Sequence, residues 1–269
     1  MQREPIVAGR FYPGSGPALV SEVRSLLAQA PPRRPNPTIL AMAPHAGYVY
    51  SGQVAGVTLG QANLARSILL LCPNHTGMGT PFSVWDKGLW RVPGCSMDID
   101  EPLAAALLAG CGSLRSDRAA HAEEHSLEVV MPFLCETQPG FKGVPLSVAE
   151  HNLATLGYVA RDMAAVLKAW PERVSIVVSS DMSHYLPHGE ARKLDAQALE
   201  PVLALDPVGL YSVVREMGIS MCGVLPMTLG LMIALELGAT RAELAAYGTS
   251  GDASGDYERV VGYAGVIVE

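Results

Sequence analysis

Side chains that can bind metal ions or transfer protons follow three apolar stretches of this sequence. Asp181 and His184 lie near the end of Val174–Tyr185 (VSIVVSSDMSHY), and His45 and His75 each follow another apolar run. Such runs are typical of strands that are covered on both faces in a parallel sheet. Open α/β sheets bind ligands at the carboxyl ends of their strands. We therefore interpret the three ends as meeting at one edge of a sheet and binding a metal ion there.

The settings of His45 and His75 are matched. Each histidine comes after an apolar run and a proline, and a turn with glycine follows it, in APHAG and PNHTG. If the predicted strands Thr38–Met42 and Ser67–Cys72 are neighbours, the two imidazoles lie side by side. Two histidines form half of a site that suits zinc, iron or copper. The alternative is that each histidine caps a turn or binds a buried carbonyl, but the matched settings favour a shared site.

Asp181 and His184 have two interpretations. They are either additional ligands or an acid–base pair beside the metal ion, since a histidine near a cation and a carboxylate can titrate near neutral pH. Alternatively, Asp181 caps a helix that begins at Met182, a position where aspartate is common. The two interpretations do not exclude each other.

Cys222 is predicted to open an apolar helix, Cys222–Leu237. The positive end of the helix dipole lowers the pKa of a thiol there and favours the thiolate, which is a metal ligand and a nucleophile. The alternative, a small buried apolar residue, stays open from spacing alone. An odd number of cysteines without paired spacing predicts reduced thiols, mostly buried, for the other four: Cys72, Cys95, Cys111 and Cys135.

A polar cluster of Glu123, Glu124 and His125 begins another predicted helix, His121–Glu136. Acidic residues are favoured at a helix start by the dipole, which indicates a structural role. His125 is also a candidate to point into the site. The remaining histidines have no such setting and are predicted at the surface or in turns: His121, His151 and His188.

Predicted strands alternate with predicted helices along nearly the whole chain, which indicates an α/β layer fold with a mainly parallel sheet. No internal repeat or domain boundary is visible, so one domain over residues 1–269 is expected. The loop Gly248–Asp256 (GTSGDASGD) lacks the lysine of a phosphate-binding loop. We interpret it as a mobile lid beside the site.

Composition narrows the function further. The chain has 269 residues, of which 49% are hydrophobic and 17% are charged, and this is enough for a large core. A formal net charge of -7 gives no electrostatic basis for binding nucleic acid or an anionic membrane. No apolar run approaches the roughly 20 residues that span a bilayer. The amino-terminal residues lack the apolar core of a signal peptide, so a cytoplasmic protein is expected.

Six motifs in order resemble the Memo family: APHAGYVYSG, CPNHTG, EEHSLEVVMPFL, SSDMSHY, MCGVLP and YGTSGDASGDYERVVGYAG. The resemblance extends from Pro5 to Val268. Memo-like proteins occur in bacteria and archaea alongside AMMECR1-like and radical SAM proteins, which the resemblance implies as partners. The family is similar in fold to the class III extradiol, LigB-like, dioxygenases. The resemblance therefore implies a single domain with a central mixed sheet flanked by helices.

The resemblance also implies roles for the site residues. His45 and His75 match the two metal-binding histidines of the family, and Cys222 matches the cysteine that completes its site. Asp181 and His184 match the other pocket residues. The dioxygenases use two histidines and one carboxylate around iron, so a cysteine is a departure that puts ring cleavage in doubt and admits copper or zinc.

Three functions follow as hypotheses. The first is a metal-dependent redox or oxygenase-type enzyme that holds one iron or copper ion and acts on a small molecule that the sequence does not identify. The second is a binding protein on a dioxygenase scaffold that recognises a peptide or a protein partner. The third is a zinc hydrolase, in which metal-bound water attacks an ester or amide.

Overall fold

Buried strands with apolar side chains on both faces form the centre of the molecule. The computed structural model describes residues 2–269, and within them Leu40–Ala43, Ser67–Pro73 and Val174–Ser179 are strands in which every residue is buried. Successive side chains of a strand point to opposite faces. Ile176 and Val178 accordingly join one apolar core, and Val177 joins a second core on the other face.

Over residues 2–269 the chain forms twelve strands in one sheet. In chain order the strands are β1 (Gln2–Arg3), β2 (Leu40–Ala43), β3 (Ser67–Pro73), β4 (Phe82–Val84), β5 (Leu89–Val92), β6 (Cys95–Ile99), β7 (Arg115–Ser116), β8 (Lys142–Val148), β9 (Val174–Ser179), β10 (His184–Leu186), β11 (Ala242–Thr249) and β12 (Val260–Val268). The helices are α1 (Gly16–Leu27), α2 (Tyr48–Gln61), α3 (Glu101–Gly110), α4 (Ala119–Ala122), α5 (Ser126–Thr137), α6 (Leu153–Ala169), α7 (His188–Leu203), α8 (Pro207–Glu216), α9 (Val224–Glu236) and α10 (Gly251–Ser254).

The sheet is mixed, with a parallel centre. Its main path runs β1-β5-β6-β8-β3-β9-β2-β12-β10, and β6, β8, β3, β9 and β2 are parallel to one another. β12 pairs antiparallel with β2 and also with β11. The predicted α/β fold with a central mixed, mainly parallel sheet flanked by helices is confirmed.

Helices cover both faces of this sheet. Residues of α3, α6, α8 and α9 fill the core on one face, and residues of α1, α2 and α5 fill the core on the other. Helix α9 is apolar on nearly all sides because α6, α8 and the sheet surround it. Such burial explains why its sequence carries little helical periodicity. Across residues 2–269 no helix combines the length and the apolar character that crossing a bilayer requires.

The strand ends that carry His45, His75 and Asp181 meet at the carboxyl edge of the sheet. The condition that the strands before His45 and His75 are neighbours is not met. In the structure β9 lies between β2 and β3 and pairs in parallel with both. The two histidines therefore approach each other across the end of β9, which is where Asp181 follows.

Two predictions about residues outside the candidate site are wrong, one on a pair of cysteines and one on a histidine. Cys95 and Cys135 form a disulfide rather than remaining reduced. They are 40 residues apart, and only the packing of α5 against β6 brings their Cα atoms to 6.4 Å. His121 is fully buried instead of lying at the surface, because its ring packs against the edges of Trp85 and Trp90 and its Nε2 bonds to the Ser83 carbonyl at 2.8 Å.

The close packing of β12 against α2 predicts that a substitution at Gly265 lowers stability. A Cβ atom added there would overlap the hydroxyl of Thr58 on α2. We expect Gly265→Ala to lower the free energy of unfolding by about 1–3 kcal/mol, the usual cost of overpacking, as measured by urea denaturation. Gly157→Ala on α6 is the control, since nothing lies within 4 Å of an added Cβ there. The double variant Thr58→Ala/Gly265→Ala should recover part of the loss, because it removes the hydroxyl but keeps the Thr58 Cβ at 2.8 Å. Failure to recover any of it would contradict the overlap.

Candidate functional site

Three imidazoles converge at the carboxyl edge of the sheet. His45 follows β2, His75 follows β3, and His125 precedes the first residue of α5. Their ring centroids are 5.4 Å apart for His45 and His75, 5.5 Å for His45 and His125, and 5.1 Å for His75 and His125. One candidate ligand atom from each ring lies within 4.8 Å of the other two. The three side chains form a group that can hold a metal ion.

The buried His45 ring has a tautomer that its partners determine. The Ser179 hydroxyl donates to the Ser126 carbonyl at 3.0 Å, so its oxygen accepts from His45 Nδ1 at 2.6 Å. Nδ1 therefore carries the proton, and Nε2 presents a lone pair. Burial, followed by the charge of His75, lowers the pKa of His45 to about 3. A neutral imidazole of this kind is ready to bind a metal ion.

Glu124 orients His75. Its carboxylate lies 2.9 Å from His75 Nδ1 and accepts the backbone N–H of His75 at 2.7 Å. Burial alone would raise the pKa of Glu124, but hydrogen bonds to His75 lower it to about 2. Burial likewise opposes protonation of His75, and the bond to Glu124 outweighs it, so the pKa of His75 is raised. Because Nδ1 donates to Glu124, Nε2 is the atom that remains for a ligand, as in many metal sites.

His125 is held by packing. Its ring stacks on His75 with an angle of 24° between the ring planes, and the ring of Phe11 packs against it at 5.0 Å. Burial, followed by the charge of His45, lowers the pKa of His125 to about 4. From the sequence, His125 is a candidate for the site, whereas Glu124 is predicted to have only a structural role. The sequence signal for the role of Glu124 is a glutamate directly before a histidine at a helix start.

Asp181 does not cap a helix at Met182, because the following helix, α7, begins only at His188. Its Oδ1 accepts the backbone N–H of His45 at 2.8 Å, and its Oδ2 lies 3.9 Å from His45 Nε2. Burial raises the pKa of Asp181, against the effect of the bond from His45. The carboxyl group therefore links the end of β9 to the end of β2.

Cys222 lies beside His45 and outside the three-histidine group. Its Sγ is 3.4 Å from His45 Nε2 and accepts the backbone N–H of Asp181 at 3.2 Å. Helix α9 begins at Val224, two residues later than predicted. Burial, followed by the charge of Asp181, raises the pKa of the Cys222 thiol, which is opposite to the direction predicted from the helix dipole. Desolvation outweighs the dipole at this position.

His184 is the first residue of β10 and lines the same cavity as the three histidines. Its Nδ1 is 2.9 Å from the Ser220 carbonyl, and its backbone N–H donates to the Ser220 hydroxyl at 2.8 Å. A carbonyl oxygen only accepts, so Nδ1 carries the proton and Nε2 is the basic atom.

An open cavity of about 590 Å³ contains these groups. His45, His75, His125, Asp181 and His184 line it together. Around them lie side chains of the amino-terminal segment, of α2, of β10, of β12 and of the loop before β12: Arg10, Phe11, Tyr50, Tyr185, Ser250, Ser254, Asp256, Arg259 and Tyr263. Cys222 is not a lining residue, but its Sγ contacts two residues that are, His45 and Asp181.

The rim of the cavity has two unusual features. Tyr185 is 65% exposed and has a φ of +60°, a strained conformation for a residue with a side chain. The loop predicted as a lid, Gly248–Asp256, is partly ordered as the short helix α10. Its movement stays a prediction.

The donor set fits a transition-metal ion. Two rings have their Nδ1 atoms engaged and their Nε2 atoms available, and burial keeps His45 and His125 neutral. Imidazole is a ligand for zinc, copper, iron and nickel.

Known proteins resemble this chain over nearly its whole length. A family model described as Memo-like protein matches residues 3–267. A MEMO1 family protein of Methanopyrus kandleri is 37% identical over 283 aligned positions, which cover 99% of each chain. A MEMO1 family protein of Aquifex aeolicus is 38% identical, with 98% of each chain covered.

A solved structure shares the fold at low identity. The crystal structure of an uncharacterized protein from Escherichia coli K12 matches with a TM-score of 0.51 and 14% identity, and the match covers 84% of this chain and 98% of the other. The family model and the relatives each match nearly the whole chain. The chain therefore belongs to the Memo-like protein family.

Proposed function

We propose that this protein binds one iron or copper ion through His45, His75 and a third ligand and carries out oxygenase-type chemistry on a small planar molecule. The observation that supports the proposal is the convergence of three imidazoles within 4.8 Å at an open cavity of about 590 Å³. Cavities of this volume are typical of small-molecule sites. Phe11, Tyr50 and Tyr263 give this one aromatic walls.

The third ligand is either Cys222 or His125. Two donors on one tetrahedral metal ion lie roughly 3.5 Å apart, as metal–ligand bond lengths require. Cys222 Sγ and His45 Nε2 are 3.4 Å apart, close to that separation. The three histidines need a small inward movement to reach it, since their ligand atoms spread over as much as 4.8 Å. The separation from His45 Nε2 is compatible with Cys222 as the third ligand, whereas the grouping of the three rings is compatible with His125.

A bound iron or copper ion would supply electron transfer and polarise a substrate oxygen. The protein's own residues supply proton transfer and orientation. Nε2 of His184 can accept a proton from a hydroxyl group bound in the cavity. Asp181 fixes the backbone of His45 and so the direction of its Nε2.

A zinc hydrolase is the second candidate. It is favoured by the three-histidine group, which contains no carboxylate. Three histidines hold the zinc ion in some hydrolytic enzymes and leave the fourth position for water. The oxygenase and the hydrolase can be distinguished by which metal the protein binds and by whether its activity requires oxygen.

The role of Glu124 can be tested by Glu124→Gln. This change keeps the shape of the side chain but removes the charge that orients His75. We expect the affinity for cobalt(II) to fall by about 10-fold or more, as is usual when a ligand loses such a partner, with titration calorimetry as the measurement. Glu123→Gln is the matched control, since Glu123 is the exposed neighbour. Equal affinities for the two variants would contradict the assignment.

The identity of the third ligand can be tested with cobalt(II) spectra. We expect the wild-type complex to show a near-ultraviolet thiolate-to-cobalt charge-transfer band, because Cys222 Sγ lies within ligand distance of the His45 position. The band should be lost in Cys222→Ala and kept in His125→Gln. A band that is absent from the wild type would leave His125 as the third ligand.

The chemistry can be tested in a reaction with iron(II), oxygen and a panel of catechols. We expect oxygen consumption, and we expect His184→Gln to reduce turnover by about 10²–10⁴-fold, the usual contribution of a general base, with the metal content unchanged. No oxygen consumption with any member, together with no metal in the purified protein, would count against the oxygenase. One equivalent of zinc, with ester hydrolysis that persists without oxygen, would favour the hydrolase.

A further inference from the structure

The amino-terminal segment is attached to the candidate metal site through a buried arginine. Arg3 is 3% exposed. Its guanidinium donates to three acceptors far along the chain: Nε to the His121 carbonyl at 2.9 Å, Nη2 to the Glu124 carbonyl at 2.6 Å, and Nη1 to the Glu128 carboxylate at 2.8 Å. Nη1 also donates to the neighbouring Glu4 carbonyl at 3.5 Å. The group also lies over the ring of Trp90, 4.4 Å from its centroid.

Two of these acceptors belong to the turn that carries the site. The turn runs from His121 to Glu124, immediately before His125, and Glu124 is the residue whose carboxylate holds His75. Arg3 therefore fixes the backbone of Glu124 from one side while His75 binds its side chain from the other. A guanidinium can reach all three acceptors because its five N–H donors form a rigid planar fork.

Glu128 neutralises Arg3 and ties the rest of the segment to α5. Glu128 is fully buried and accepts the backbone N–H groups of Ile6 and Val7 and the hydroxyl of Tyr12. A buried carboxylate and guanidinium are costly unless both are fully bonded, and these two are. Removal of either partner would leave the other charged and unpaired.

The segment between these anchors forms a wall of the cavity. Arg10 and Phe11 line it, and the Phe11 ring packs against His125 at 5.0 Å. The Phe11 carbonyl accepts the backbone N–H of Tyr48, the first residue of α2, at 2.8 Å. The amino-terminal segment thus contacts both the turn before His125 and the helix after His45.

We infer that Arg3 is a positioning residue of the metal site, acting through the Glu124 carbonyl on His75 and His125. The inference rests on the proposed function for the presence of a metal ion. The positioning of the two imidazole rings by Arg3 concerns the protein without metal as well. Arg3 does not line the cavity, so it is not a catalytic residue. No motif in the sequence connects Arg3 with the histidines.

The test is Arg3→Lys, which keeps the charge opposite Glu128 but cannot reach both carbonyls. In the metal-free protein we expect the imidazole proton resonances of His75 and His125, assigned with His75→Gln and His125→Gln, to shift, while that of His188 stays. Cobalt(II) affinity should fall by about tenfold, the lower end of the usual effect of such partners. The absorption spectrum of the cobalt(II) complex should change as well.

Arg24→Lys is the matched control. Arg24, on α1, forms an exposed ion pair at 2.7 Å with Glu136 near the end of α5, the helix that also carries Glu128. It should change neither the resonances nor the affinity. If Arg3→Lys does not fold, the double variant Arg3→Gln/Glu128→Gln, which removes both buried charges, replaces it in the same measurements.

The inference is overturned if a natively folded Arg3 variant, judged by circular dichroism, keeps wild-type imidazole resonances even when its melting temperature falls. Arg3 would then act only on stability. If the wild type binds no cobalt while the resonances of Arg3→Lys still shift, the proposed function fails and the positioning role stands. Shifted resonances with wild-type cobalt affinity would also overturn the role at the metal site.

Discussion

The parallel pairing of β9 with both β2 and β3 is the constraint on which the site depends. It places three strand ends in one row, so that His45, Asp181 and His75 emerge side by side although they are distant in the sequence. The backbone N–H of His45 then donates to Asp181, and Ser179 at the end of β9 holds the His45 ring. A shift of β9 by one residue would turn Ser179 away from this ring, because successive side chains point to opposite faces.

Electrostatics at this edge follow from burial. Several imidazoles close together in a poorly hydrated place cannot all be charged, and His45 and His125 accordingly have strongly lowered pKa values. Glu124 compensates only the more exposed ring, that of His75. The result is a set of lone pairs directed by fixed hydrogen bonds. Such a set differs from a group of histidines that are merely in contact, because its partners determine which nitrogen is available.

The fold was more predictable from the sequence than the site. Runs such as Ser67–Cys72 and Val174–Ser179 identify buried strands by their composition alone. The order of strands in the sheet does not follow from composition, since β9 inserts between β2 and β3 without any local signal. The pairing of Cys95 with Cys135 and the burial of His121 between two tryptophans also depend on tertiary packing, which spacing along the chain does not record.

Within the site, local sequence identified the residues at strand ends and missed those that support them. His45, His75, Asp181 and His184 follow apolar runs and were all candidates. Glu124 and Arg3 act through bonds to a side chain and to carbonyls supplied by distant parts of the chain.

The pKa of Cys222 also could not be predicted from the local sequence. A helix start alone suggests a thiolate, whereas the surrounding protein raises the pKa of the thiol. In the protein without metal, this thiol therefore stays protonated and can donate to His45 Nε2 at 3.4 Å. A cation bound by His45 and His75 would reverse that preference, since a coordinating thiol loses its proton. Thiolate character at Cys222 would then be a consequence of metal binding rather than a property of the folded chain alone.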